Sequence, residues 1–341
     1  MPSSFAEKHV LVTGASGFIG SWLTEALLEE GADVSVLIDN SGAIGTSGID
    51  HIMKRVRPFY GNLTDCGSLG KAIKDQETIF HLGALTQVLH SFRIPNEFFN
   101  VNATGTLNLL EEARKAESLE FFVFSSTDKV YGEPQYLPID EKHQLSSKSP
   151  YDTSKLISDI LVDSFHNTYG IPSGKTRWSN TIGGRDTNIL RAVPDFVTSI
   201  MNGRPPTIRG DGKHVRDYLY VTDAVSGILD VARKKNKSNG ETFNLGTEAP
   251  TNVLEIANLV IEKMGSSGKM RPVVLGENNP GEIKTQYLSS KKARDVLGWS
   301  PKVKLDDGIA MSIKWYKSHP EWYNVMQRVR SYWDAKTSQT F

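Results

Sequence analysis

Apolar positions in the first half of the chain fall into short strand-like runs separated by longer stretches of helical spacing. Residues 9–12, 34–38, 78–82 and 121–124 are runs rich in β-branched and aromatic side chains. Between them, residues 22–30 read as a helix that stops at Gly31. Over 102–116, Leu107, Leu109, Leu110 and Ala113 recur at roughly helical spacing. A long helix is predicted over 151–169, closed by Gly170 and Pro172. Strands that alternate with helices predict an α/β fold with a doubly wound parallel sheet. The second half is less regular. Gly183-Gly184, Pro205-Pro206 and Gly210-Asp211-Gly212 mark loops, and helices are predicted over 222–235, 252–264 and 306–317.

Composition narrows the class. The 341 residues suit two domains, or one large α/β domain with an appendage. Lys+Arg and Asp+Glu balance at 39 each, so no overall positive field gathers nucleic acid or an anionic membrane. The run Arg233, Lys234, Lys235 and Lys237 reads as a solvated helix end. One cysteine, Cys66, permits neither an internal disulfide nor a thiolate cluster. The eight histidines lack i, i+4 ligand spacing, so no metal is expected. No basic-then-apolar leader opens the chain and no apolar run approaches the ~20 residues of a membrane span, which predicts a cytoplasmic protein.

Two motifs carry chemistry. Gly14, Gly17 and Gly20 lie between the first predicted strand and the first helix. Glycines there allow a tight turn and close approach of the backbone to a pyrophosphate, which the helix N-terminus attracts. Asp39 follows the second strand, about 20 residues after the loop, and no arginine stands beside it. A carboxylate at that point suits the ribose hydroxyls of NAD and repels a 2′-phosphate. Tyr151 and Lys155 stand at i and i+4 on one helix face. An ammonium beside the phenol favours the phenolate, making the tyrosine a candidate base.

With the glycine loop, the segment Ser125–Gly132 and the Tyr151/Lys155 pair together, the sequence resembles the extended short-chain dehydrogenase/reductase family in its sugar-nucleotide branch. Further support comes from His81 to Ala84, Asn102 with Gly105 and Thr106, Arg216-Asp217-Tyr218, Asp223, and Leu297-Gly298-Trp299 with Pro301. The resemblance implies a Rossmann-type NAD domain over 1–178, to which 214–240 return, and a smaller C-terminal substrate-binding region from 179–213 and 241–341. It implies that Gly14, Gly17, Phe18, Ile19, Gly20, Asp39, Asp65, Leu82 and Ala84 serve the cofactor together with Tyr151 and Lys155, with Asp65 at the adenine. It places Thr127 at the sugar C4 oxygen. It assigns Asn180, Arg191, Arg209 and Arg216 to a nucleotide-diphosphate sugar. Lys284 is a candidate substitute for an arginine that the related loop often carries where Asn279 stands. A homodimer through the helices at 102–116 and 151–169 is also implied, and a packing role for His81.

Two reactions remain open on this reading. One is a 4,6-dehydratase; the other is a 4-epimerase of the UDP-glucose type. Loss of water across C5–C6 needs an acid and a base, and Asp128 and Lys129 follow Thr127 directly. The order Thr-Asp-Lys is similar to CDP-glucose 4,6-dehydratases. In that role Asp128 protonates the C6 hydroxyl and Lys129 removes the C5 proton. In a 4-epimerase the same two side chains would only shape the pocket.

Overall fold

The computed structural model describes residues 4–39, 45–276 and 283–338, so Asn279 lies outside the described residues. Strands β1 (His9–Thr13), β2 (Asp33–Ile38), β3 (Arg57–Tyr60), β4 (Thr78–His81), β5 (Phe121–Ser125) and β6 (Ser173–Trp178) join Glu241–Leu245 in one seven-stranded sheet. The order is Glu241–Leu245, β6, β5, β4, β1, β2, β3, and every pairing is parallel. A parallel sheet needs cover on both faces, which explains why β5 is buried at all five positions. On one face the α1 helix (Phe18–Glu29) and helix Val221–Arg233 pack together over Val10, Val12 and Val123. On the other, helix Gly105–Ala113 and helix Pro150–Tyr169 cover Leu11, Ile79, Phe122 and Phe124. The chain order reverses between β1 and β4, which opens a crevice at their C-terminal ends.

The remainder forms a smaller lobe of short strands. Val215–Arg216 is the centre of a three-stranded sheet, flanked by Thr251–Asn252 and Thr285–Gln286. Helices Ala192–Met201, Val253–Lys263 and Leu305–Ser318 surround it. Asp223 ties this lobe to the large sheet: its Oδ2 accepts from Lys302 N and Val303 N, each at 2.9 Å, while the Trp299 indole donates to Ser226 Oγ at 2.9 Å.

The structure redraws the expected returning segment, 214–240, at both ends. Val215–Arg216 pairs within the small sheet, whereas Glu241–Leu245 pairs with β6 and belongs to the large one. The first helix begins at Phe18, four residues earlier than the pattern over 22–30 predicts. Residues 99–104 form a π-helical turn before helix Gly105–Ala113.

Candidate active site

The glycine loop follows β1 directly. Gly14 has φ of 72°, a backbone that side-chain-bearing residues rarely adopt, and a Cβ there would lie 2.8 Å from Gly83 N. At Gly20 a Cβ would lie 2.0 Å from Gly14 O, so only glycine lets α1 pack against the loop. Gly17 starts α1 without a side-chain cap, which leaves the first-turn N–H groups for an anion. The Phe18 side chain is in the core, so its contribution to a ligand is its backbone. Ile19 lines the cavity described below. Asp39 is exposed at the end of β2, and Asp65 is exposed with Oδ1 accepting from Gly67 N at 3.0 Å. Leu82 and Ala84 continue from β4, Leu82 packing on the core. These positions suit an extended dinucleotide lying across the sheet's C-terminal edge. His81 is held between Thr13 Oγ1 at 2.7 Å and Thr106 Oγ1 at 2.9 Å. Burial, with Lys155 nearby, lowers its pKa to about 3, so it is a neutral packing residue at pH 7.

Tyr151 stands in the first turn of helix Pro150–Tyr169. Ser149 caps that helix and Asp152 completes a capping box: Ser149 Oγ accepts from Asp152 N at 3.0 Å and Asp152 Oδ2 from Ser149 N at 3.2 Å. Pro150 at the first position further sets the helix start. The Tyr151 ring is buried and edge-on to Phe98, and Tyr151 lines the same cavity as Thr127. Burial raises its pKa, and Arg191 is the cation that opposes this. Lys155, one turn on at i+4, donates from Nζ to Ser125 O at 2.8 Å and lies 4.3 Å from the Phe124 ring. Burial lowers Lys155 to about 7, with Asp159 resisting the shift.

Thr127 caps the 3₁₀ turn Asp128–Tyr131, accepting from Lys129 N at 3.3 Å and donating to Asp128 Oδ1 at 3.2 Å. Lys129 Nζ lies 3.1 Å from Asp128 Oδ2 and 2.6 Å from Gln286 Oε1. Burial lowers the Lys129 pKa and Arg216 adds to this, while Asp128 and Asp152 oppose it. Thr127, Asp128, Lys129, Tyr151, Asp152 and Arg216 line one cavity of about 450 Å³, enough for a sugar and more.

Asn180, Arg191, Arg209 and Arg216 line the same cavity. Arg216 is buried, and its guanidinium is braced by the carbonyls of Val215 at 2.8 Å and Ile283 at 2.5 Å. Arg191 pairs with Asp186 at 3.2 Å. Lys284 is exposed and absent from the cavity lining; its carbonyl, rather than its ammonium, faces Arg216. The structure thus does not bring the Lys284 side chain to the site; the neighbouring Ile283 and Gln286 are the buried residues of this segment. Gln286 is the site residue that reading the sequence missed, since its partners are 157 and 158 positions away.

The helix that carries Tyr151 and the Thr127–Lys129 turn thus meet at one cavity. The family model for GDP-mannose 4,6 dehydratase matches residues 11–312. The chain belongs to the extended short-chain dehydrogenase/reductase family of nucleotide-sugar dehydratases and epimerases. It is 32% identical to a putative UDP-glucose 4-epimerase of Methanocaldococcus jannaschii, covering 91% of this chain and 99% of that one. It is also 32% identical to a dTDP-glucose 4,6-dehydratase of Streptomyces griseus, covering 93% of this chain and 97% of that one. Among solved structures, a dTDP-glucose 4,6-dehydratase of Streptomyces venezuelae with NAD and TYD bound superposes with a TM-score of 0.86 at 28% identity, covering 93% of this chain and 99% of that one. The relatives are enzymes of two reaction types, and the family comprises both.

Proposed function

We propose that this enzyme is an NAD-dependent 4,6-dehydratase of a nucleoside-diphosphate hexose, with CDP-glucose the first candidate. The observation that carries the reading is the Asp128–Lys129 pair in the cavity wall, with Thr127 and Tyr151 lining the same cavity. A hydride transfer at C4 needs neither Asp128 nor Lys129; loss of water needs both an acid and a base.

Gly14, Gly17, Gly20 and the first turn of α1 hold the pyrophosphate of NAD, Asp39 its ribose and Asp65 its adenine end. Bound NAD supplies the hydride acceptor for C4 and, once reduced, the donor for C6. Lys155, tethered to Ser125 O, fixes the floor beside Tyr151. Tyr151, as phenolate, takes the C4 hydroxyl proton, with Thr127 at the same oxygen. Arg191 favours that phenolate. Lys129, neutral, removes the C5 proton, which the new carbonyl at C4 acidifies. Asp128, protonated, gives its proton to the C6 hydroxyl, which leaves as water. Lys129 then returns its proton to C5. Arg216, Arg209 and Asn180 hold the diphosphate and sugar, as a braced guanidinium suits a phosphate.

Residues 1–178, part of 214–240 and strand Glu241–Leu245 form the cofactor-binding unit on this reading, and the small lobe binds the nucleotide sugar. Ile157 and Ile160, exposed on helix Pro150–Tyr169, support a homodimer built on that face. Absence of a helix long and apolar enough to cross a membrane among the described residues agrees with a cytoplasmic enzyme. Lys129→Met tests the assignment: water loss should disappear while reduction of bound NAD by the sugar nucleotide stays detectable at 340 nm, a general property of NADH. Equal loss of both would count against Lys129 as the base.

A further inference from the structure

Gln286 joins the small lobe to the acid–base turn. Its strand, Thr285–Gln286, runs beside Val215–Arg216, and the register sets Gln286 opposite Arg216. The side chain is 1% exposed, so its amide must find partners within the protein. Nε2 donates to the Asp128 carbonyl at 2.9 Å, and Oε1 accepts from Lys129 Nζ at 2.6 Å. The amide's orientation follows from these partners, because a flipped amide would face the carbonyl with oxygen and the amine with N–H.

Lys129 Nζ therefore has two acceptors, Gln286 Oε1 and Asp128 Oδ2 at 3.1 Å. A neutral amine carries two N–H bonds and one lone pair. With both N–H groups committed, the lone pair is left in the remaining tetrahedral direction, and Lys129 lines the cavity. We infer that Gln286 is a positioning residue that aims the Lys129 lone pair at the substrate. This rests on Lys129 acting as the base. The charged groups that act on Lys129 are Asp128 on its own turn, Asp152 on helix Pro150–Tyr169 and Arg216 on the neighbouring strand. A neutral amide orients the amine without adding a third carboxylate, which would hold the proton on nitrogen. The contact also joins Lys129 to the sheet that carries Arg216, whose strand pairs with that of Gln286.

Two variants test this. Gln286→Met removes the acceptor without adding charge; kcat should fall at least about 10-fold with KM for the sugar nucleotide within about 2-fold. Gln286→Glu sets a carboxylate against the amine; the acid limb of the kcat profile should move up by about 1 to 3 pH units. An independent readout is the pH dependence of Lys129 acetylation by acetic anhydride, followed by peptide mass spectrometry. Its midpoint should rise in Gln286→Glu and fall in Gln286→Met. Loss of activity in both variants with an unmoved midpoint would make Gln286 a structural strut and overturn the proposal. Should Gln286→Glu fail to fold, an unmoved midpoint in Gln286→Met alone overturns it. A moved midpoint in an enzyme that releases no water would sink the dehydratase reading and leave the Gln286–Lys129 contact standing.

Discussion

Replacing Asp159 by alanine should cost about 3–4 kcal/mol of stability. Asp159 lies two turns beyond Tyr151 on the same helix, and its side chain is fully buried. It accepts from Lys175 Nζ at 2.6 Å, Arg177 Nε at 2.9 Å and Arg177 Nη2 at 2.7 Å. Removing one partner of a buried ion pair typically costs about 3–5 kcal/mol, because the other charge stays behind unpaired. Here Lys175 keeps Asp163 at 2.6 Å, whereas Arg177 keeps only the Tyr131 hydroxyl at 3.0 Å and the face of its ring. One orphaned guanidinium and one half-satisfied ammonium place the cost in the lower part of that range. At roughly 2 °C per kcal/mol, the low end for long chains, the Tm should drop by about 6–8 °C. Thermal unfolding followed by circular dichroism reads this directly. The control is Asp163→Ala: that carboxylate is 46% exposed, so its loss should cost under about 1 kcal/mol. Equal effects of the two variants would refute the reasoning. Acid should act in the same sense. Burial works to raise the Asp159 pKa, but Arg177 and Lys175 hold it below its ordinary value of 3.8. Its contribution is therefore complete above about pH 4 and is lost only as pH falls further.

Gly20→Ala should abolish NAD binding by fluorescence titration, since the added Cβ would meet Gly14 O at 2.0 Å and displace the loop or α1. Retained affinity would show that the loop tolerates the shift. Lys155 titrates near 7 in the folded chain against 10.5 when unfolded, so between those values the unfolded state holds more protons and stability rises with pH. Urea unfolding across pH 7–10 should show that rise in the wild type and a flatter course in Lys155→Met. Asp223→Ala leaves the N–H groups of Lys302 and Val303 without their acceptor and should cost about 2–3 kcal/mol by the same unfolding assay.

Much of the large sheet was legible because its central strands carry short apolar runs. β5 opens with four consecutive apolar residues, three of them phenylalanine, a short β-branched and aromatic run that suits a buried strand. β6 was not legible for the opposite reason: it puts Lys175 and Arg177 into the interior, and the carboxylate that makes this tolerable is Asp159, on the preceding helix. Glu241–Leu245 hides in the same way, since its buried Asn244 is satisfied by the Tyr131 hydroxyl at 2.7 Å, 113 positions away. β3 carries Pro58, which an edge strand tolerates but which a pattern reader takes as a break. Within the candidate site, Tyr151, Lys155 and the glycines were readable because the pattern that marks them is spacing along one element. Gln286 depends on a contact between distant parts of the chain, and nothing local distinguishes it from a surface glutamine. Lys284 erred the other way: it precedes the two-residue strand Thr285–Gln286 and is exposed, and so short a strand carries no readable pattern.

The central claim is the loss of water, and mass decides it. The purified protein with NAD would be offered CDP-, dTDP-, UDP- and GDP-hexoses in turn, and the products read by mass spectrometry. A product lighter than its substrate by one water, formed from one of these, is the predicted result, and it would also name the nucleotide. A product of unchanged mass that moves in chromatography would contradict the account: the enzyme would be a 4-epimerase, and Asp128 and Lys129 would be no more than part of the pocket wall.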